Sequence, residues 1–205
     1  MFGVGLAILE TTGHIGSMAR RSMREEILGA GVELFLERGF NAAAVKDITD
    51  RAGVPKGSFY NHFESKEALA EVALERYGET RRMSQLGDRS VPPVQRMRQH
   101  FEFLRDELPE FTKGCMFGNF GAEVVDHSEP LRKRVKGNWD YWAGILTEAI
   151  AQGQAEGTIR TSLDPHQAAY YLTSAWEGTL LRARADKSPE AFEVFFVVTF
   201  DALLA

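Results

Sequence analysis

The motif Ala52-Gly53-Val54 restricts the possible folds of this chain more than any other feature of its sequence. It separates two short segments with helical spacing of apolar residues, Val45–Ala52 and Lys56–Phe63, and Pro55 follows it directly. Glycine adopts a positive φ at little cost, and only small residues let two helices cross closely at a steep angle. The motif therefore predicts two short helices joined by a tight turn.

The remaining sequence also shows helical periodicity. Apolar residues recur at helical spacing between Arg21 and Arg38, and Gly39 is placed to end that helix. Further helices, begun by capping residues or proline, are predicted from Ser65 to Arg82, Val94 to Leu108, Ser128 to Gly153, and over 165–186 and 189–204. No alternating strand pattern of useful length appears, so the predicted fold class is all-α.

Composition shifts along the chain predict its domains. The stretch Gly87–Pro93 contains glycine, serine and two prolines and is the clearest linker. We expect a three-helix helix-turn-helix domain over 18–66, a connecting fourth helix over 66–82 and a C-terminal helical domain over 83–205. Residues 1–17 lack the basic start of a signal peptide. They are predicted to be disordered or foreign to the native chain, which would then start at Met18 or Met23.

Charge and cysteine content exclude several classes of protein. The net charge is −5, but residues 19–66 carry eight basic and seven acidic side chains, so the excess acid lies outside the first domain. A sequence-independent DNA-coating protein would be basic throughout.

The single cysteine, Cys115, excludes a fold held together by internal disulfides, and no apolar window reaches membrane-spanning length. We expect a cytoplasmic protein with no membrane contact, no cofactor and, because its histidines are scattered, no metal site.

The third predicted helix has two contrasting faces. Phe59 and Phe63 lie four residues apart and are predicted to enter the core. The opposite face is polar and aromatic and consists of Lys56, Ser58, Tyr60, Asn61 and His62. Such side chains suit base edges and phosphates, and Gly57 would let the backbone approach DNA closely.

The run AGVPKGSFYNHFESKEAL resembles the signature of the tetracycline repressor (TetR) family in order and spacing, within a match that covers Arg24–Leu69. The resemblance implies a homodimeric repressor that binds a palindromic double-stranded DNA operator and releases it when a small-molecule inducer binds the C-terminal domain. It places Lys56, Gly57, Ser58 and Asn61 nearest the base edges, and it places Tyr60, His62, Lys66 and Lys46 at the phosphate backbone.

One position departs from the family pattern. The family usually has serine or threonine just before the second helix, whereas this chain has Ala43-Ala44. A missing cap costs about 1 kcal/mol of helix stability. One phosphate contact is also expected to be absent, which predicts somewhat weaker operator binding.

The last helix is apolar on much of its circumference, which predicts cover on two sides. The family builds its dimer from the last two long helices, so the resemblance implies a subunit interface there. The residues assigned to it are Phe192, Phe195, Phe196 and Phe200. The alternative is that this helix is buried within one chain.

An inducer pocket needs apolar walls and a few polar groups. The aromatic and apolar candidates are Phe103, Met116, Phe117, Phe120, Trp139, Trp142, Tyr170 and Trp176, each of which could equally be a plain core residue.

Cys115 is a more specific candidate for sensing. The segment KGCMFGNFGAEVVD resembles a subgroup of the family in which some members sense electrophiles or oxidants and related ones bind small unsaturated acids. A cysteine reacts with such compounds as the thiolate, which a neighbouring Lys113, Arg182 or Arg184 would favour. The alternative is a small buried hydrophobic residue. Asn119, Glu123 and Asp126 offer polar contacts nearby or simply face solvent.

Two other functions compete with an inducible repressor. Cys115 with His100 or His127 would supply a nucleophile and a base for a small helical enzyme. However, the sequence has no glycine-rich phosphate-binding loop, and we expect no catalysis. A transcriptional activator of the same fold is the second alternative.

Overall fold

The computed structural model describes residues 22–108, 113–160 and 162–205, and this part of the chain is helical without a strand. The helices are α1 Met23–Ala42, α2 Val45–Ala52, α3 Lys56–Phe59, α4 Lys66–Glu79, α5 Met83–Leu86, α6 Pro93–Asp106, α7 Met116–Glu123, α8 Glu129–Ala155, α9 Pro165–Asp186 and α10 Glu190–Phe196. A π-helical segment, Val197–Leu203, continues α10. The all-α prediction is confirmed. The predicted extension over 1–17 lies outside the described residues.

Side-chain caps begin several helices where the sequence predicts them. The Ser65 hydroxyl accepts a hydrogen bond from the Ala68 N–H at 3.0 Å, and the Ser128 hydroxyl accepts one from the Leu131 N–H at 3.2 Å. The Asp164 carboxylate accepts one from the Gln167 N–H at 3.0 Å. These acceptors satisfy N–H groups that have no partner inside the helix. In contrast, Ala44 precedes α2 without any side-chain cap, as the departure from the family pattern predicts.

Gly39 interrupts α1 but does not end it. Its backbone has φ +79° and ψ 176°, and helical structure resumes to reach Ala42. This conformation is open almost only to glycine. The sequence therefore identifies the break correctly but places the end of the helix too early.

The apolar side chains form two buried clusters. The first joins α1–α4 to α7 and the start of α8, and it includes Phe35, Phe59, Phe120 and Leu131. The second joins α6, α8, α9 and α10 around Phe101. Helix α7 therefore belongs to the core of the N-terminal helices, although the linker pattern assigned it to the C-terminal domain.

The four phenylalanines assigned to a subunit interface are buried by their own chain. Phe192, Phe195, Phe196 and Phe200 are between 1% and 9% exposed. Phe195 packs against Phe101 with ring centroids 4.9 Å apart. The alternative of burial within one chain is therefore correct for these side chains, and their assignment to the interface is wrong. The opposite face of the same helix exposes other apolar residues, namely Val194, Val197 and Val198.

No helix in the described part of the chain is both long and apolar enough to cross a lipid bilayer.

Candidate nucleic-acid interface and ligand cavity

The turn between α2 and α3 has the geometry that its sequence predicts. Gly53 adopts φ +67° and ψ 28° at the end of α2. The N–H of Val54 then bonds to the carbonyl of Thr49 at 3.0 Å, which closes the turn. Pro55 precedes α3 with an extended backbone, so that the helix begins at Lys56. A left-handed residue with little steric cost is what allows this change of direction.

Helix α3 is shorter than predicted, but its buried and exposed faces are those of the sequence pattern. The regular helix ends at Phe59, and hydrogen bonds from His62 and Phe63 to the Phe59 carbonyl continue the turn. Phe59 and Phe63 are buried, whereas Tyr60 is 58% exposed. Lys56, Gly57, Asn61 and His62 are also exposed, and Ser58 is half-buried. We call the surface formed by these six polar-face residues the α3 surface.

Gly57 lies in the middle of the α3 surface. A Cβ atom added there would have no heavy atom within 4 Å. The glycine is therefore not required by packing within the chain, and its close approach to DNA stays a prediction.

Lys66 does not lie free on this surface. Its Nζ donates a hydrogen bond to the Phe40 carbonyl at 2.8 Å and lies 4.2 Å from the centre of the Phe40 ring. Desolvation lowers the pKa of Lys66. In this structure the ammonium group links α4 to the end of α1, so the expected phosphate contact is not supported.

Lys46 is exposed on α2 and forms an ion pair with Asp50, with the two charged atoms 2.5 Å apart. Exposed pairs of this kind contribute little to stability. The partner can therefore be exchanged for a phosphate at small cost, and the predicted backbone contact remains a prediction.

A cavity lies among α4, α6, α7, α8 and α9. Four of the sequence candidates line it, namely Cys115, Phe117, Trp142 and Trp176. The sequence did not single out its other polar walls, Tyr77, Arg81, Asn138 and Glu177. Tyr77, Asn138 and Glu177 come from three different helices and Arg81 follows the first of them, so no local pattern in the sequence brings the four together.

The other pocket candidates lie elsewhere. Met116 and Phe120 are buried in the first core cluster, where Phe120 packs against Phe35 with ring centroids 5.5 Å apart. Phe103 lies under the guanidinium group of Arg82, and Tyr170 is 61% exposed. Trp139 lines two neighbouring pockets beside Glu177, one of which Tyr170 also lines. These five are not walls of the cavity.

Cys115 lies at the start of α7 beside Glu177, which is not among the residues expected there. The thiol donates a hydrogen bond to the Glu177 carboxyl group, which also accepts one from Trp139 Nε1 at 3.4 Å. Burial, and next the nearby Glu177, raise the pKa of the Cys115 thiol. Burial likewise raises the pKa of Glu177.

The thiol environment is therefore opposite to the cationic one that the sequence-based hypothesis needed. The Arg182 guanidinium pairs with Asp186. Arg184 lines a neighbouring pocket with Cys115, but the group bonded to the thiol is the acidic Glu177. A raised pKa means that less thiolate is present at neutral pH than for a free cysteine, so electrophile sensing by an activated thiolate is not supported.

The histidines offered as bases for an enzyme do not share a hydrogen bond with Cys115 in the described structure. His127 is exposed. His100 is buried against Trp142, with ring centroids 5.7 Å apart, and desolvation lowers its pKa to about 4. The described residues also contain no group of three or more side chains placed to hold a metal ion.

Helix α7 connects the cavity to the helix-turn-helix. Its first turn carries Phe117, a wall of the cavity, and its last residue is Glu123. The Glu123 carboxylate accepts a hydrogen bond from the N–H of Asn41 at 3.0 Å. It lies so close to Gly39 that a Cβ atom there would overlap it. Of the two possibilities considered for Glu123, polar contact or solvent, the structure shows the contact.

Comparison with known proteins agrees with this geometry. Residues 27–73 match the family model described as "Bacterial regulatory proteins, tetR family", and residues 93–198 match "Tetracyclin repressor-like, C-terminal domain". The HTH-type transcriptional repressor DhaR of Mycobacterium sp. (strain GP1) is 40% identical over 190 residues, which cover 91% of this chain and 95% of the relative. The HTH-type transcriptional repressor NemR of Escherichia coli (strain K12) is 29% identical over 180 residues, which cover 83% and 88%.

Solved structures give the same result. The reduced form of E. coli NemR superimposes with a TM-score of 0.79 and 28% identity, over 90% of this chain and 98% of that one. A regulatory protein TetR from Rhodobacter sphaeroides gives a TM-score of 0.79 and 26% identity, over 87% and 97%. With a helix-turn-helix at one end, a helical domain with a cavity at the other, and family matches to both parts, the chain belongs to the tetracycline repressor family of transcriptional regulators.

Proposed function

We propose that two copies of this chain bind a palindromic operator through their α3 surfaces, repress transcription there, and release the DNA when a small molecule enters the cavity. The observation that carries the proposal is the division of α3. Phe59 and Phe63 fix it to the core, while Lys56, Tyr60 and Asn61 project from it. A short helix suits the major groove when its apolar side packs on the protein core and its hydrogen-bonding side chains face solvent.

Dimerisation is supported by exposed apolar side chains near the C-terminus. Val194 and Val197 are 55% and 57% exposed, and Leu181 on α9 is 70% exposed. Val194, Val197 and Val198 are spaced i, i+3 and i+4 and form one exposed apolar strip, and strips of this kind mark protein interfaces. A two-fold interface there would present two α3 surfaces to two half-sites, which is what a near-palindromic operator requires. The name of the DhaR relative, a transcriptional repressor, supports repression rather than activation.

Release is supported by the continuity between the cavity and α1. A ligand that displaces Phe117 moves the first turn of α7, and the rigid helix transmits this shift to Phe120 and Glu123. Those two residues contact Phe35 and Asn41 of α1, which packs directly on α2 and α3. Ligand binding and DNA binding would then be coupled through two arrangements of one helix.

The test is operator binding by variants of the α3 surface. An operator selected from random DNA is labelled, and binding is measured by fluorescence anisotropy at fixed salt. Tyr60→Ala and Lys56→Ala should each weaken binding by about tenfold or more, since single DNA contacts contribute about 1–3 kcal/mol. Tyr141→Ala is the matched control, because Tyr141 on α8 is exposed to the same extent as Tyr60, at 58%.

Sedimentation of the same variants should show unchanged dimers. Equal operator affinity for Tyr60→Ala and Tyr141→Ala would contradict the assignment of the α3 surface.

A further inference from the structure

A side chain of the cavity wall carries a buried hydrogen-bond donor that has no acceptor among the described residues. Trp142 is 4% exposed and forms part of the cavity wall, and its Nε1 atom is buried without a partner among the described residues. Buried polar groups are nearly always paired, and each exception calls for an explanation such as a missing ligand. Both ring nitrogens of His100, which packs on the Trp142 ring, are also buried and unpaired.

The ionisable groups in the cavity wall do not offer a charged occupant a free partner of opposite charge. The Glu177 carboxyl group already accepts hydrogen bonds from the Cys115 thiol and from Trp139 Nε1, and burial raises its pKa, which disfavours the carboxylate form that a cation would need as a partner. The Arg81 guanidinium group, which also lines the cavity, would repel a cation, and its proximity adds to the lowering of the His100 pKa.

Arg81 is also committed to contacts within the chain. Its guanidinium group lies 4.3 Å from the centre of the Tyr77 ring, and Nε and Nη2 donate to the Thr80 hydroxyl at 3.1 and 2.8 Å. A carboxylate in the cavity would therefore not find a free guanidinium fork of the kind that binds anions in pairs of hydrogen bonds.

The remaining walls are apolar and aromatic. Leu104, Phe117, Trp176 and Leu180 line the space, whose enclosed part is smaller than the roughly 150 Å³ that holds benzene, so a ring enters only when a wall side chain such as Phe117 is displaced. Apolar walls with a few placed polar groups are the usual composition of a small-molecule site.

We propose that this cavity binds a small uncharged monocyclic or short-chain molecule whose carbonyl or amide oxygen accepts a hydrogen bond from Trp142 Nε1. The inference rests on the proposed function, because the same cavity is taken as the inducer site. It goes further by excluding carboxylates and ammonium compounds as preferred ligands.

Four ring compounds of similar size test the inference on the wild-type protein. Binding of benzamide, toluene, benzoate and benzylammonium is measured by isothermal titration calorimetry at neutral pH. Benzamide should bind at least about tenfold more tightly than each of the others, because one added hydrogen bond without charge desolvation is worth about that factor. Tightest binding of benzoate or benzylammonium, or no binding by any of the four, would overturn the inference.

The substitution Trp142→Phe tests the donor itself, since it removes Nε1 and keeps an aromatic ring. It should reduce the affinity for benzamide about tenfold more than the affinity for toluene. Equal losses for the two compounds would show that Trp142 contributes only shape. The wild-type ranking decides the question independently if this variant does not fold.

Operator release is measured separately by anisotropy, so that the two proposals can fail independently. Benzamide that binds without releasing the operator supports the ligand class and contradicts inducible release. Benzoate that binds more tightly than benzamide and releases the operator contradicts the ligand class and supports inducible release.

Discussion

Gly39 offers a direct measure of how firmly α7 is attached to the helix-turn-helix. Its backbone, at φ +79° and ψ 176°, lies in a region that costs other residues about 1–3 kcal/mol. A methyl group there would also overlap the Glu123 carboxylate. The carboxylate must then leave Asn41, and the loss of this partly exposed charge-assisted hydrogen bond costs about 1 kcal/mol more.

The substitution Gly39→Ala should therefore destabilise the protein by about 3 kcal/mol, equivalent to a fall in the melting temperature of about 6–12 °C for a chain of this size. Thermal unfolding is followed by circular dichroism at one fixed protein concentration, since dimer stability depends on concentration. Gly29→Ala is the control. A Cβ at Gly29 meets no heavy atom within 4 Å, so alanine should there be neutral or stabilising by up to about 1 kcal/mol.

A double-mutant cycle with Glu123→Ala separates the two parts of this cost. Removing the carboxylate should relieve the overlap, so the Gly39→Ala effect measured in the Glu123→Ala background should shrink by about 1 kcal/mol and leave the backbone strain. A Gly39→Ala protein as stable as Gly29→Ala, or an identical cost in both backgrounds, would refute the attachment inferred from the contact.

Three further expectations concern the cap of α2, the subunit interface and the thiol. Ala44→Ser supplies the missing cap and should raise the free energy of unfolding, measured in urea, by about 1 kcal/mol. An unchanged free energy would mean that water already satisfies the exposed N–H groups of α2. Val197→Glu adds a charge to the exposed apolar strip of each copy. The dimer dissociation constant measured by sedimentation should rise at least about 100-fold, and an unchanged constant would place the interface elsewhere. The raised pKa of Cys115 leaves less thiolate than usual at neutral pH, so alkylation by iodoacetamide should be slower than for free cysteine and should keep rising above pH 9. A rate that levels off below pH 8 would show a lowered pKa instead.

Local interactions explain where the sequence predicts the structure correctly. Helix α2 has the predicted bounds because they depend on residues close together in the sequence. The apolar periodicity sets the helix, and the left-handed Gly53 ends it. The division of α3 into buried phenylalanines and an exposed tyrosine follows from spacing alone. The regular part of α3 is shorter than predicted because the N–H groups of Asn61 and His62 bond to carbonyls three residues back, at Ser58 and Phe59. An α-helix would bond them four residues back.

The sequence by itself determined that the chain is helical, where its sharp turn lies and which surface is suited to DNA, since each of these depends on neighbours along the chain. Only the tertiary structure decided which face of an apolar terminal helix is buried, because residues from Phe192 to Phe200 are apolar on most sides and the partner that covers them, Phe101, is distant in sequence. It also decided that Lys66 bonds to Phe40 and that Glu177 lies beside Cys115. The energy of a buried or paired charge depends on what surrounds it in space, and spacing along one helix carries no information about that.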